Sequence, residues 1–410
     1  MKKNCIVAQS GGPTVAINAS LAGVIKEAIQ SDCYETVYGS IHGIQGVFKR
    51  EFLDLSKSSD RFIEQLKYTP AMYLGSCRYK LPDTEEDITA YETLFAIFEE
   101  MNIGAFFYIG GNDSMDTVAK LSKYAQSIGS PIRVVGIPKT IDNDLVGVDH
   151  TPGFGSAAKY IASSMREMAY DTYIYDLNSV LIVEIMGRDA GWLTAASALA
   201  RNSFSKAPHL IYLPEVAFDK DNFIKDIQAL MPTTKNIIIA VSEGIRDKNG
   251  NYISATTAAA DKFGHAQLSG TGKCLELLVK ERLGVKVRSV EINVLQRCAA
   301  HMASMADIDE AFLLGSLAVE KASEGHTAIM TGLVRTSNTP YTYELITLPV
   351  SEVANQAKEV PRHWINDSGN DVTSDMIDYI KPLLEGEVPT NYVDGVVDYL
   401  DVSHLIPDSN

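Results

Sequence analysis

The chain has 410 residues, 46% hydrophobic and 21% charged, a balance that excludes disordered and collagen-like classes. At about 150 residues per domain, this length predicts two or three domains. Lys+Arg 36 against Asp+Glu 52 leaves a net charge of −16, which repels nucleic-acid phosphates and anionic membranes but permits a small phosphorylated substrate met by a few clustered cations.

In chain order, β-branched and aromatic runs predict strands at Cys5–Ala8, Thr36–Tyr38, Ala105–Ile109, Arg133–Ile137, Val180–Ile185, Leu210–Leu213, Ile237–Val241 and Val287–Ile292. Helical spacing is predicted over Ala16–Ile29, Asp87–Met101, Ser114–Ile128 and Ser156–Met168. In the second of these, Tyr91, Leu94, Phe95 and Phe98 share one face. Near-continuous apolar strands alternating with helices predict parallel sheets covered on both sides, the α/β class. No apolar run approaches the roughly eighteen residues of a spanning helix. The run before Gln9 is too short for a secretory signal. The five cysteines, Cys5, Cys33, Cys77, Cys274 and Cys298, are odd in number and form no C-x-x-C pair. A reduced, cytoplasmic setting is therefore expected, without a disulfide frame or zinc ribbon.

The turns after the strands carry the functional signal. They read Ser10-Gly11-Gly12-Pro13, Gly110-Gly111-Asn112-Asp113-Ser114, Pro138-Lys139-Thr140-Ile141-Asp142-Asn143-Asp144, Met186-Gly187-Arg188-Asp189-Ala190-Gly191 and Ser242-Glu243-Gly244. In open α/β sheets, ligands bind beyond the carboxyl ends of strands, where all five would gather. Singly, each is also an ordinary strand-to-helix turn. Gly11-Gly12 and Gly110-Gly111 are expected to open helices and offer backbone N–H groups to phosphate, with Arg78, Lys139 and Arg188 as cations. The acidic Asp142 and Asp144 beside a phosphate site suit two tasks: accepting the proton of an attacking hydroxyl, and holding Mg²⁺ against phosphate oxygens.

Two look-alikes fail on context. Gly153-Phe154-Gly155-Ser156-Ala157-Ala158 matches a dinucleotide fingerprint, but residues 145–152 read as a polar loop rather than the required strand. Gly270-Thr271-Gly272-Lys273-Cys274 has Gln267 and Cys274 where a P-loop needs a glycine and a hydroxyl. The eight histidines form no H-x-x-x-H pair, so no zinc site is expected.

Gly11-Gly12 with Asn18, Leu74-Gly75-Ser76-Cys77-Arg78, Gly110 to Ser114, Pro138 to Asp144 and Met186-Gly187-Arg188 occur in that order. Together they resemble the bacterial A-type phosphofructokinases, from the N-terminus to about Leu348. The resemblance implies two three-layer α/β domains with mainly parallel sheets and an active site in the cleft between them. A donor-binding domain would comprise 1–152 and about 296–348. A sugar-phosphate domain would comprise 153–295 and about 349–410, including a C-terminal extension with no readable function.

By the same resemblance, Asp142 is the general base for the 1-hydroxyl of fructose 6-phosphate, positioned with Thr140 and Ile141. Met186, Gly187 and Arg188 form the sugar-phosphate loop, Glu243 holds sugar hydroxyls, and Arg288 and Arg297 clamp the 6-phosphate. Gly11, Gly12, Arg78, Gly111, Ser114 and Lys139 bind the donor. ATP-using members carry glycine where this chain has Asp113 and Lys139; that pair is similar to pyrophosphate-dependent members. The Asp113 carboxylate fills the room and mimics the charge of a nucleotide α-phosphate, while Lys139 neutralises the leaving phosphate. Asn112 replaces a metal-binding Asp of ATP-using relatives, leaving Mg²⁺ to Asp113 and Asp144 or mainly to the substrate. Ser179 replaces an Arg that many relatives supply across a subunit interface, leaving more to Arg288. The implied enzyme is a reversible, glycolytic, unregulated homodimer or homotetramer acting on pyrophosphate and fructose 6-phosphate. ATP as donor, sedoheptulose 7-phosphate as acceptor, and a catalytically silent sugar-phosphate-binding subunit stay open as alternatives.

Overall fold

The structure is a computed structural model and describes residues 2–77, 79–253, 256–258 and 267–406. The first half contributes strands β1 (Lys3–Gln9), β2 (Tyr34–Ser40), β3 (Phe52–Asp54), β4 (Ile103–Gly110) and β5 (Arg133–Pro138). Next come β6 (Ser179–Ile185), β7 (Leu210–Tyr212), β8 (Asn236–Ser242), the short pair β9 (Thr256–Ala258) and β10 (Gln267–Ser269), and β11 (Lys286–Glu291). A hairpin of β12 (Ile329–Asn338) and β13 (Tyr341–Pro349) follows. The helices used below are α1 (Ile17–Gln30), α2 (Ile88–Glu100), α3 (Asn112–Ser127), α4 (Phe154–Tyr173), α5 (Thr271–Leu283), α6 (Met305–Ser323) and α7 (Ser374–Ile380).

The larger sheet has the order β13-β12-β5-β4-β1-β2-β3 and the smaller β11-β6-β8-β7. In the larger, only the edge strands β13 and β3 run antiparallel to their neighbours. The smaller is parallel throughout. Each is sandwiched between helices, and period-two alternation sends successive residues to opposite cores. Cys5 and Val7 of β1 face the core built with α1 and α6, while Ile6 and Ala8 face the one built with α2 and α3. In β6, Val180 and Ile182 face α5, while Leu181, Val183 and Ile185 face α4 and α7. Burial on both faces is why these strands read as unbroken apolar runs. The fold is thus α/β, with two sheets each layered between helices.

The strands at Thr36–Tyr38 and Arg133–Ile137 extend by a residue or two beyond the expected ends. The β12–β13 hairpin was not expected. Its outer half alternates between half-buried and exposed residues, so no solid apolar run marks it.

Candidate active site

Chain order reverses in the larger sheet between β1 and β4, and both glycine turns leave the carboxyl ends of those strands. Gly110-Gly111 leads directly into α3, with Gly111 as its cap. A side chain at Gly110 would sit 1.9 Å from the Ser114 hydroxyl, so Ser114 packs into the turn and is buried. The other turn differs from expectation. Gly11-Gly12 does not open a helix: α1 begins at Ile17, whose N–H is accepted by Thr14 Oγ1 at 3.0 Å. Gly11 instead takes φ +80°, a conformation that favours glycine, and its carbonyl accepts from Ser76 Oγ at 2.8 Å. Arg78 lies outside the described residues.

Lys139 and Arg297 converge on this turn. The buried Lys139 ammonium donates to the Gly12 carbonyl at 2.6 Å. A Cβ at Gly11 would lie 3.2 Å from that ammonium, and one at Gly12 would lie 3.1 Å from Arg297 Nη1. Burial lowers Lys139 to about 8, despite the opposing pull of Asp142 and Asp144. Asp113 stands in the first turn of α3.

After β5 the chain turns tightly. Lys139 N–H donates to Gly110 O at 2.9 Å, and the Thr140 hydroxyl accepts from Asp142 N–H at 3.1 Å. Asn143 takes φ +54°, so Asp142 and Asp144 emerge from one bend. Its amide oxygen accepts from Thr151 N–H at 3.1 Å, and its amide nitrogen donates to the Tyr379 hydroxyl at 2.9 Å. Ile141 is buried among the residues that pack the smaller sheet. Burial raises Asp142 above the usual carboxylate range, opposed by Arg188, Lys139 and Arg297. Asp144 is raised to about 7, by burial first and by the Asp142 charge next. A carboxylate raised in this way is a better proton acceptor near neutrality.

The smaller sheet supplies the facing loops. Gly187 has φ +134°, and its N–H reaches Glu243 Oε1 at 3.4 Å. A Cβ at Gly244 would lie 1.8 Å from the Arg188 carbonyl, so only glycine lets the two turns touch. Met186 packs half-buried on the core below. Arg188 is the leading charge acting on Asp142, and its Nε is buried without a partner among the described residues. Burial raises Glu243 to about 7, with the Asp142 charge adding.

Lys139, Asp142, Asp144, Arg188, Glu243 and Arg297 thus influence one another across the loops. Arg288 does not join them. It is exposed on the edge strand β11, in register with Leu181, four residues and roughly 13 Å short of the β6 carboxyl end. Ser179 lies at the start of β6, where its hydroxyl accepts from Asn236 Nδ2 at 2.9 Å.

Both look-alike motifs are filled by carboxylates. Asp307 accepts from Gly153 and Ser156 N–H at 2.8 and 3.0 Å at the start of α4. Glu184 accepts from Gly272 N–H at 2.7 Å at the start of α5. Neither helix end is open to a phosphate. The residues missed from sequence are the supports: Asn143, Lys358 and Tyr379, whose partners lie elsewhere in the chain. Asn143 alone had a local signal, as the middle of the Asp-Asn-Asp string.

The family described as Phosphofructokinase matches residues 4–320. A pyrophosphate--fructose 6-phosphate 1-phosphotransferase of Methylococcus capsulatus is 40% identical over 406 residues, covering 98% of this chain and 96% of that protein. The crystal structure of a pyrophosphate-dependent phosphofructokinase from Nitrosospira multiformis superposes with a TM-score of 0.89 at 37% identity, covering 98% of this chain and 96% of that one. Its counterpart from Marinobacter aquaeolei gives 0.87 at 39% identity, covering 97% and 95%. On this match and these relatives, the chain belongs to the phosphofructokinase family.

Proposed function

We propose that this protein transfers a phosphoryl group from inorganic pyrophosphate to the 1-hydroxyl of fructose 6-phosphate, giving fructose 1,6-bisphosphate and orthophosphate, reversibly and as a step of glycolysis. The observation that carries the reading is Lys139, buried against Gly11 and Gly12 with Asp142 and Arg297 in its field. An ammonium there meets the phosphates of a small donor. Together with Asp113 at the head of α3, it leaves a nucleotide α-phosphate facing both a side chain and a like charge.

In the forward direction the 1-hydroxyl oxygen attacks the near phosphorus of pyrophosphate in line, and the bridging P–O bond breaks. Asp142 takes the hydroxyl proton; orthophosphate leaves. Lys139, Arg78 and the Gly111 turn stabilise charge on the transferring and leaving phosphates, while Thr140 holds the Asp142 backbone. Arg188, Arg297, Glu243 and the Met186-Gly187 backbone hold the sugar phosphate, with Arg288 assigned there on resemblance alone. Among the described residues no group of three His, Cys, Asp or Glu side chains is arranged to hold a metal. That fits Mg²⁺, which takes one or two carboxylates and otherwise substrate phosphates and water. Asp144 and Asp113 would hold it, and it would supply charge neutralisation at the pyrophosphate oxygens.

The larger sheet is proposed to carry the donor and the smaller the sugar. A homodimer or homotetramer is proposed in the cytoplasm; exposed apolar side chains such as Phe204, 86% exposed, and Ile174, 70% exposed, support association. The test is the initial rate with fructose 6-phosphate and Mg²⁺, with pyrophosphate or ATP supplied separately. Turnover with pyrophosphate alone is expected; turnover with ATP alone would overturn the assignment of Asp113 and Lys139.

A further inference from the structure

The C-terminal region carries no motif, yet one short segment of it reaches three of the site's loops. Val350 and Val353 are buried in the core of the larger sheet, while Val360 and Ile365 are buried in that of the smaller. Residues 355–360 bridge the two. At the donor end, Asn112 donates through Nδ2 to the Gln356 carbonyl at 2.5 Å and accepts from Asn355 N–H at 2.6 Å. Asn355 Nδ2 also donates to Asp116 at 3.0 Å.

In the middle, Lys358 N–H donates to the Asp144 carbonyl at 2.7 Å. Its ammonium donates to Asp149 O at 2.7 Å and Val148 O at 3.3 Å, and lies 3.5 Å from Asn143 Oδ1. At the sugar end, the Lys358 carbonyl accepts from Trp192 Nε1 at 2.9 Å, and the ammonium lies 5.2 Å from the centre of that ring. Glu215 Oε1 completes the join by accepting from both Val360 N–H and Gly191 N–H, at 3.0 and 2.8 Å.

We propose that residues 355–360 form a positioning strap, with Lys358 at its centre and Asn112 as its anchor on the donor loop. The strap holds the donor loop, the Asp142–Asp144 turn and the sugar-phosphate loop in one geometry. Asn112, at the family's metal-binding position, is spent on both sides of its amide by backbone partners and is not a metal ligand here. Lys358 touches no reacting atom; it acts through Asn143 and Asp144. The inference rests on the phosphoryl-transfer reading, because misplacement by about an ångström is what slows an in-line transfer without abolishing binding.

The test uses the full chain and three variants, Lys358→Met, Trp192→Phe and Asn112→Asp. Rates are measured in both directions, with fructose 6-phosphate affinity by calorimetry and melting temperature alongside. Lys358→Met is expected to lower kcat about 10- to 100-fold, while Kd for fructose 6-phosphate stays within about threefold. Trp192→Phe, which deletes the bond to the Lys358 carbonyl and trims a buried ring packed on Trp364 and Tyr379, is expected to lower kcat by about three- to tenfold. Asn112→Asp sets a carboxylate against the Gln356 carbonyl and is expected to slow turnover with no tightening of the Mg²⁺ requirement.

Should Lys358→Met fail to fold, the other two variants decide. Unchanged kcat in Trp192→Phe together with tighter Mg²⁺ activation in Asn112→Asp would overturn the strap. Loss of fructose 6-phosphate binding in step with kcat would also overturn it. Wild-type turnover with unaffected variants removes the strap alone; wild-type silence with pyrophosphate in both directions removes the functional reading and the strap with it.

Discussion

Lys139 places one buried ammonium against the Gly11-Gly12 turn. Because burial lowers it to about 8, its charge in the free enzyme is lost as pH rises through that value. We expect kcat/KM for pyrophosphate to fall about tenfold per pH unit above about 8. On the acid side, Glu243 at about 7 must lose its proton if it is to accept from sugar hydroxyls as proposed, so kcat/KM is expected to decline below that point as well. The measurement is a kcat/KM profile from pH 5.5 to 10; a flat alkaline limb would separate Lys139 from the donor. The proposed donor choice rests on Lys139 together with Asp113. Asp113→Gly with Lys139→Gly is expected to weaken pyrophosphate use and open measurable ATP use, read as the ratio of the two kcat/KM values. An unchanged ratio would remove both residues from the account of selectivity. Lys139 and Asp113 could be proposed from the sequence because each sits in a short contiguous string. Arg288 was carried over without such a string, and this chain keeps it on an exposed sheet edge.

Helix α1 and helix α6 meet through glycines. A Cβ at Gly23 would lie 2.0 Å from the Phe312 carbonyl, and one at Gly315 would lie 2.1 Å from the Ser20 carbonyl. Backbone cannot yield as a flexible side chain can, so Gly23→Ala must push the helices apart. Destabilisation of about 1–3 kcal/mol or more is expected, read as a lower urea midpoint with unchanged slope. Little change would mean that the helices slide freely. In α1 the apolar spacing was visible, but neither glycine announced a crossing. A glycine inside a helical pattern reads as a propensity cost until the partner helix, nearly 300 residues away, is in place. The hairpin of β12 and β13 escaped notice for a related reason: its outer residues alternate with solvent and form no apolar run.

A buried ionic network ties the large elements together. His150 lies between Asp149 Oδ2 at 2.8 Å and Glu310 Oε2 at 2.6 Å, Arg335 reaches Asp149 at 2.9 Å, and Tyr341 donates to Glu310 at 2.7 Å. Burial alone would lower His150, but the Glu310 and Asp149 carboxylates raise it from 6.5 to about 9. A group raised in the folded state contributes stability that is full below its unfolded value and lost as pH climbs through its folded one. The protein is therefore expected to lose stability between pH 6.5 and about 9, by up to about 3 kcal/mol from this residue. Urea midpoints across that range would measure it. His150→Gln should flatten the dependence and weaken the fold throughout; a pH-independent wild-type midpoint would contradict the network.

By itself the sequence determined the α/β class, the family and the order of the turns that carry the candidate site. Those features are local: a strand, a turn and a helix cap are written in contiguous residues, and the chemistry hangs on the turns. Only the tertiary structure decided what supports them. Lys358 under the base turn, Asn112 turned to Gln356, Asp307 and Glu184 filling two helix ends, and Arg297 brought against Gly12 all join residues far apart in the chain. A polar side chain in a loop looks solvent-exposed in the sequence whether it faces water or a buried carbonyl. Folding supplies the partner that tells the two apart.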